Sequence, residues 1–171
     1  TNTITANCTV VAAFTLGDPP RLGNISTRMQ VLTGDDVMIG GFVIGGTRDN
    51  VEDLPELERL PGCAGVKVFM GSSTGSLLLE DEKGLREVLN AIRRRASFHA
   101  EDEARLNERK TIRIEGDPRS HPIWRDETAA LIATERLVRV ARETGKRVHV
   151  LHISTAEEID FLKDHKDVAS T

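Results

Sequence analysis

The sequence has no apolar run approaching the roughly 18 residues that a membrane-spanning helix needs. It also has no basic stretch followed by an apolar one near its start, the pattern of a signal peptide. These absences set the expectation of a cytoplasmic protein with no membrane partner. Cysteine is scarce: Cys8 and Cys63 make neither a metal-ligand spacing nor a disulfide framework, so both read as unpaired or buried thiols. Positive charge is not in excess. Lys and Arg number 23 against 27 Asp and Glu, and the net charge of -4 argues against a nucleic-acid partner, because phosphate binding wants a basic surface. With 39% hydrophobic and 29% charged residues, the composition is that of a globular chain rather than a disordered one. A length of 171 residues gives room for one domain, or one and a small extra one.

Charge is distributed unevenly. Three Lys/Arg and four Asp/Glu precede Val51, and 20 and 23 follow it. This divides the chain into a β-rich segment, 1–47, and a second part, 48–171. In the first, Thr3–Thr15 is rich in Thr, Val, Ile and Phe, and Gly17-Asp18-Pro19-Pro20 makes a turn. Arg28–Leu32 and Asp36–Ile44 read as strands, with Thr33-Gly34-Asp35 as a hairpin loop and glycines at 40, 41, 45 and 46 inviting a bulge or bend.

The second part alternates helix and strand. Leu54, Leu57 and Leu60 fall on one helical face of Asp53–Leu60. Leu85, Val88, Leu89 and Ile92 do so in Asp81–Arg94. Asp126–Thr144 is a long helix with Ala130, Leu131, Leu137, Val138 and Ala141 inward and Gly145 as its stop. Thr155 to Glu158 is a capping box for a helix whose apolar side carries Ile159 and Leu162. Strands are expected at Gly65–Met70, Ala96–Ala100, Arg147–Ile153 and Asp167–Ala169. Repeated strand–helix units imply an α/β fold of parallel strands joined by right-handed crossovers. Period alone leaves open a doubly wound sheet or a (β/α) barrel, with about four βα units present.

Three residues stand out by position. Lys67 interrupts the apolar strand Val66–Met70, His99 ends Ser97-Phe98-His99, and His152 ends Val148–His152. Strand C-termini are where parallel α/β folds build their sites. A period of two places His152 on the face of Val148 and Val150, with His149 on the other. A buried ammonium without a partner is costly, and two imidazoles beside an oxygen ligand would suit zinc.

At these residues the sequence resembles the dihydroorotases and hydantoinases. Gly65-Val66-Lys67-Val68-Phe69-Met70-Gly71 resembles the segment carrying their carboxylated, metal-bridging lysine. His99-Ala100-Glu101-Asp102 resembles their first downstream metal histidine motif, and Val148-His149-Val150-Leu151-His152-Ile153-Ser154-Thr155 the second. Ser120-His121-Pro122-Ile123-Trp124-Arg125 falls where the family has a Pro-containing loop before its long helix. The resemblance covers about Arg48 to Thr171. It implies a TIM-type barrel, present here in part and matching roughly strands three to six. It further implies a two-zinc site with Lys67 bridging and His99 and His152 on the more exposed metal, and reversible opening of dihydroorotate, a small cyclic amide of pyrimidine biosynthesis, to carbamoyl aspartate.

The sequence also departs from that pattern. No His-x-His pair precedes Lys67, and the aspartate expected at the end of an eighth strand, the family's ligand and general base, is absent. The substrate-arginine motif that follows the pair is missing with it. Residues 1–47 look like an unrelated bacterial β-repeat, which suggests a chimera joined near Phe42–Asn50. Three readings follow: a truncated or chimeric dihydroorotase-like hydrolase with a partial zinc site; a secreted or surface β-module with a non-catalytic α/β tail acting in binding; and an enzyme completed by another chain or by flanking sequence. Open sheet edges predict homo-oligomers or aggregation. Gly71–Ser76 lacks the Gly-Lys-Ser/Thr of a phosphate loop. Arg93–Arg95 and Glu101–Arg109 read as solvated charge. Asn7-Cys8-Thr9 and Asn24-Ile25-Ser26 fit a glycosylation pattern with no secretory signal behind it. His121, His149 and His165 have no assigned partner.

Overall fold

A computed structural model describes residues 9–11, 25–32, 38–60, 63–72 and 77–171. The expected turn at Gly17–Pro20, the loop at Thr33–Asp35, Asn7, Cys8, Asn24 and positions 73–76 of the Gly/Ser loop lie outside them. Among the described residues, seven strands form one sheet in sequential order: β1 (Thr9–Val11), β2 (Ile25–Leu32), β3 (Met38–Gly45), β4 (Cys63–Phe69), β5 (Ala96–His99), β6 (Val148–Val150) and β7 (Ala169–Ser170). The first three pair antiparallel, and β3 to β7 run parallel.

The parallel order decides between the two architectures. A doubly wound sheet reverses its strand order at a switch point. Here each new parallel strand is added on the same side of the last, the winding of a (β/α) barrel. Among the described residues no pairing joins β1 to β7, so the set is an open, partial barrel. β3 lies at the change of character expected near Phe42–Asn50. It pairs antiparallel with β2 on one side and parallel with β4 on the other, with register shifts at both ladders. Gly46 follows immediately. Its amide donates to the Lys67 carbonyl at 2.8 Å, and a Cβ there would meet Val66 Cγ1 at 2.8 Å, so this close approach requires glycine.

The helices are α1 (Leu54–Leu57), α2 (Glu82–Ala91), α3 (Glu103–Arg109), α4 (His121–Trp124), α5 (Glu127–Glu143) and α6 (Ala156–Leu162). Asp81, Asp102, Asp126 and Thr155 cap α2, α3, α5 and α6, each accepting from the backbone amide three residues on, for about 1 kcal/mol apiece. The long helix stops as expected. Gly145 has φ +66°, its amide donates to Arg142 O and that of Lys146 to Ala141 O, which is a Schellman end.

One face of the sheet packs on α2 and α5. Val66, Val68, Phe98, Val148 and Val150 are at most 1% exposed there, against Leu85, Val88, Leu89, Leu137 and Val138. Each such side chain contributes roughly 1.5–3 kcal/mol by leaving water. Alternation sends the intervening residues to the opposite face. In register across it stand Lys67, Ser97, His149 and Ser170, and one step further along, Phe69 and His99.

Three local expectations are corrected. α1 is one turn, and Leu60 is exposed rather than on a shared buried face, because the chain turns off to bring the Cys63 amide to the Leu60 carbonyl. Ile159 is 59% exposed, because Glu158 takes the inward position and bonds the Thr134 hydroxyl. Arg93–Arg95 is not merely solvated. The buried Glu58 carboxylate accepts from the amides of Arg93 and Arg94, and the Arg94 guanidinium donates to the carbonyls of Cys63 and Glu58.

Candidate active site

The C-terminal ends of β4, β5 and β6 meet at one rim. His99, at the end of β5, is buried by the adjoining strands. His152 lies two residues beyond β6 and has φ +43°, the left-handed region that a non-glycine residue rarely adopts. This corrects the period-two argument for its direction. The strand ends at Val150, and His152 leaves the alternation that would align it with Val148 and Val150. Its Nε2 comes within 3.0 Å of His99 Nδ1, with the rings edge to face at 4.9 Å between centroids. Burial, with His99 beside it, lowers the pKa of His152.

Lys67 stands on the neighbouring strand, two residues before Phe69, the register partner of His99. Its ammonium donates to the Val68 carbonyl at 3.2 Å and lies 4.0 Å from the centre of the Phe69 ring, which in turn is 5.9 Å from the His99 ring. Burial pulls the lysine down to about 8, so roughly a tenth of it is neutral at pH 7. The structure thus brings the two histidines into contact and sets Lys67 one side chain away from them. Among the described residues, no three His, Cys, Asp or Glu side chains group as a ready cation site.

In sequence, Glu101 reads as part of a solvated charged stretch. It is instead part of the site. Its carboxylate is 2.8 Å from His99 Nε2, although off the line of a well-aligned N–H bond. Arg125 Nε reaches the same carboxylate at 2.9 Å and Nη2 closes the fork. Burial alone would raise the Glu101 pKa, but His99 and Arg125 outweigh it and bring it down to about 2. The available signal was the two-residue spacing from His99 at a strand end. A cleft of about 430 Å³ opens beside these groups, lined by His99, Glu101, His121, Arg125, His152 and Glu158.

The other histidines are placed as follows. His121 packs edge to face on Trp124 and borders the cleft. His149 bonds Ser170 Oγ at 3.0 Å, and His165 stacks on Phe161.

No protein-family model matches the chain. Over 130 residues it is 32% identical to the dihydroorotase of Methanosarcina mazei, an alignment covering 73% of this chain and 28% of that protein. Over 129 residues it is 30% identical to the dihydroorotase of Methanosarcina acetivorans, covering 73% and 27%. Over these aligned residues, the chain is dihydroorotase-like. Solved structures agree on the fold. The L-hydantoinase (dihydropyrimidinase) from Arthrobacter aurescens superposes with a TM-score of 0.64 at 19% identity, over 74% of this chain and 30% of its own. The dihydropyrimidinase from Brevibacillus agri gives 0.63 at 23%, over 74% and 29%. The dihydroorotase-like chain therefore spans under a third of the length of the relatives it matches. Among the described residues, no helix is long and apolar enough to cross a membrane.

Proposed function

We propose that the dihydroorotase-like part carries one side of the catalytic site of a metal-dependent hydrolase of cyclic amides, with dihydroorotate as substrate and carbamoyl aspartate as product. The observation that supports this most directly is the 3.0 Å approach of His99 Nδ1 and His152 Nε2 at adjoining strand ends. Two imidazole nitrogens bound to one zinc at about 2.0–2.1 Å in tetrahedral geometry stand a little over 3 Å apart. The pair therefore fits one edge of such a site.

In this reading His99 and His152 hold a zinc ion through those nitrogens. Lys67 in its neutral form would add carbon dioxide at Nζ, release the displaced N–H proton to water, and supply a carbamate oxygen. A bound zinc would acidify a water and polarise the amide carbonyl of the ring. Glu101 orients His99 from behind, and the cleft beside the histidines receives the ring. The sequence contains no His-x-His, so full activity calls for further ligands beyond these three, from flanking sequence or from another chain.

The test is zinc content by elemental analysis of the purified protein, with Lys67→Ala and His152→Ala, alongside an assay for dihydroorotate hydrolysis. Bound zinc in the parent that falls in both variants supports the reading. Zinc near zero in the parent refutes it and leaves a binding module.

A further inference from the structure

Arg125 is held on three sides. It follows α4, directly before Asp126, whose carboxylate caps α5, so its backbone is anchored by the start of that helix. Its guanidinium carbon lies 4.9 Å from the centre of the Trp124 ring, and Nη2 donates to the Ser72 carbonyl at 2.6 Å. The remaining edge of the fork engages Glu101, with Nε at 2.9 and 3.2 Å from the two carboxylate oxygens. The side chains of Arg125, Glu101 and His99 are only 14, 15 and 11% exposed, so water competes weakly for these contacts.

The contact between the histidines needs one proton between two nitrogens. A neutral imidazole carries its proton on one nitrogen and a lone pair on the other. A carboxylate beside Nε2 holds the proton there and leaves Nδ1 as the acceptor facing His152. Glu101 does this through proximity, 2.8 Å from Nε2, and only while its carboxylate is held there. We propose that Arg125 is a positioning residue: braced by Trp124 and the Ser72 carbonyl, it acts through Glu101 to fix His99 as the Nε2–H tautomer with its Nδ1 lone pair turned to His152. This deepens the functional reading above and rests on it only for the use made of that lone pair. Lysine at position 125 would keep the charge but lose the two-pronged grip.

The experiment is long-range proton–nitrogen correlation spectroscopy of the histidine rings in the metal-free protein, at a pH where they are neutral. The expected parent signal shows His99 protonated at Nε2. Arg125→Ala and the isosteric Glu101→Gln are expected to shift it to a mixture containing the Nδ1–H form, with Arg125→Lys intermediate and His149 and His165 unchanged. Arg119→Ala breaks the Arg119–Asp117 pair in the same loop and is expected to leave His99 as in the parent. Zinc affinity, where the parent binds it, is expected to fall about 10- to 100-fold in Arg125→Ala and Glu101→Gln. A parent His99 protonated at Nδ1, or unshifted His99 signals in both Glu101→Gln and Arg125→Ala, overturns the proposal. So does an equal shift in Arg119→Ala, which would mark loop integrity as the cause. Absence of zinc in the parent refutes the functional reading alone, because the tautomer is read without metal.

Discussion

Replacing Asp126 tests how the scaffold holds the rim in place. Its carboxylate, only 10% exposed, accepts from the Ala129 amide at 3.0 Å, from Arg105 Nε at 2.8 Å and Nη2 at 2.5 Å, and lies 3.2 Å from Arg109 Nε. Asp126→Ala removes the cap, about 1 kcal/mol, and leaves two arginines without their anion. Charge-assisted hydrogen bonds are worth about 1.5–3 kcal/mol, but both arginines are 26% exposed, so water recovers part of that loss. The total is about 2–4 kcal/mol. Asp126→Asn keeps the cap and loses the charge, for about 1–2 kcal/mol on the same figures.

The effect depends on pH in a definite direction. Arg105 holds the Asp126 pKa below its usual value. The stabilisation is therefore complete above the unfolded pKa of about 3.9 and is lost as pH falls through the lower folded value. Urea unfolding at neutral pH and again below pH 3.9 measures both. A loss under about 0.5 kcal/mol for Asp126→Ala at neutral pH, or a gap between parent and Asp126→Asn that does not narrow in acid, refutes this account.

Other perturbations separate packing, strain and chemistry. Gly46→Ala forces a methyl against Val66 and Val68 and should cost about 1–3 kcal/mol by urea unfolding; an unchanged midpoint would mean the β3–β4 contact is loose. His152→Gly should be more stable than His152→Ala by about 1 kcal/mol, because only glycine adopts φ +43° without strain, while both lose zinc; the reverse order would show that the strain is absent in solution. Lys67→Met removes a desolvated ammonium and should raise the melting temperature of the metal-free protein while abolishing zinc binding, whereas retained zinc would exclude the lysine as a ligand.

Much of the scaffold was legible because its signals are local. Asp126 and Gly145 mark the long helix to the residue, and Leu85, Val88, Leu89 and Ile92 mark the buried face of α2. Barrel winding was legible through the family resemblance and not through the periods, because strand order is set by which strands pair. Lys67 and His99 could be singled out since a polar residue inside an apolar strand, or at its end, is visible in sequence. The direction of His152 could not, because a left-handed residue after Val150 breaks the alternation that the argument used. Glu101 and Arg125 were missed for another reason: their pairing joins residues 24 apart and gains its strength from burial, which no local pattern records. Leu60 and Ile159 erred in the opposite sense. Both fit a helical stripe, and both yield to a buried polar group or a chain turn nearby.

The most direct measurement is zinc bound per chain by the purified protein, taken together with the mass of the intact protein to detect carboxylation of Lys67. The account predicts bound zinc in the parent, a carboxylated lysine at position 67, and loss of the metal in His99→Ala, His152→Ala and Lys67→Ala, with the fold retained. A folded parent that binds no zinc, or binds it equally well without either histidine, would contradict it.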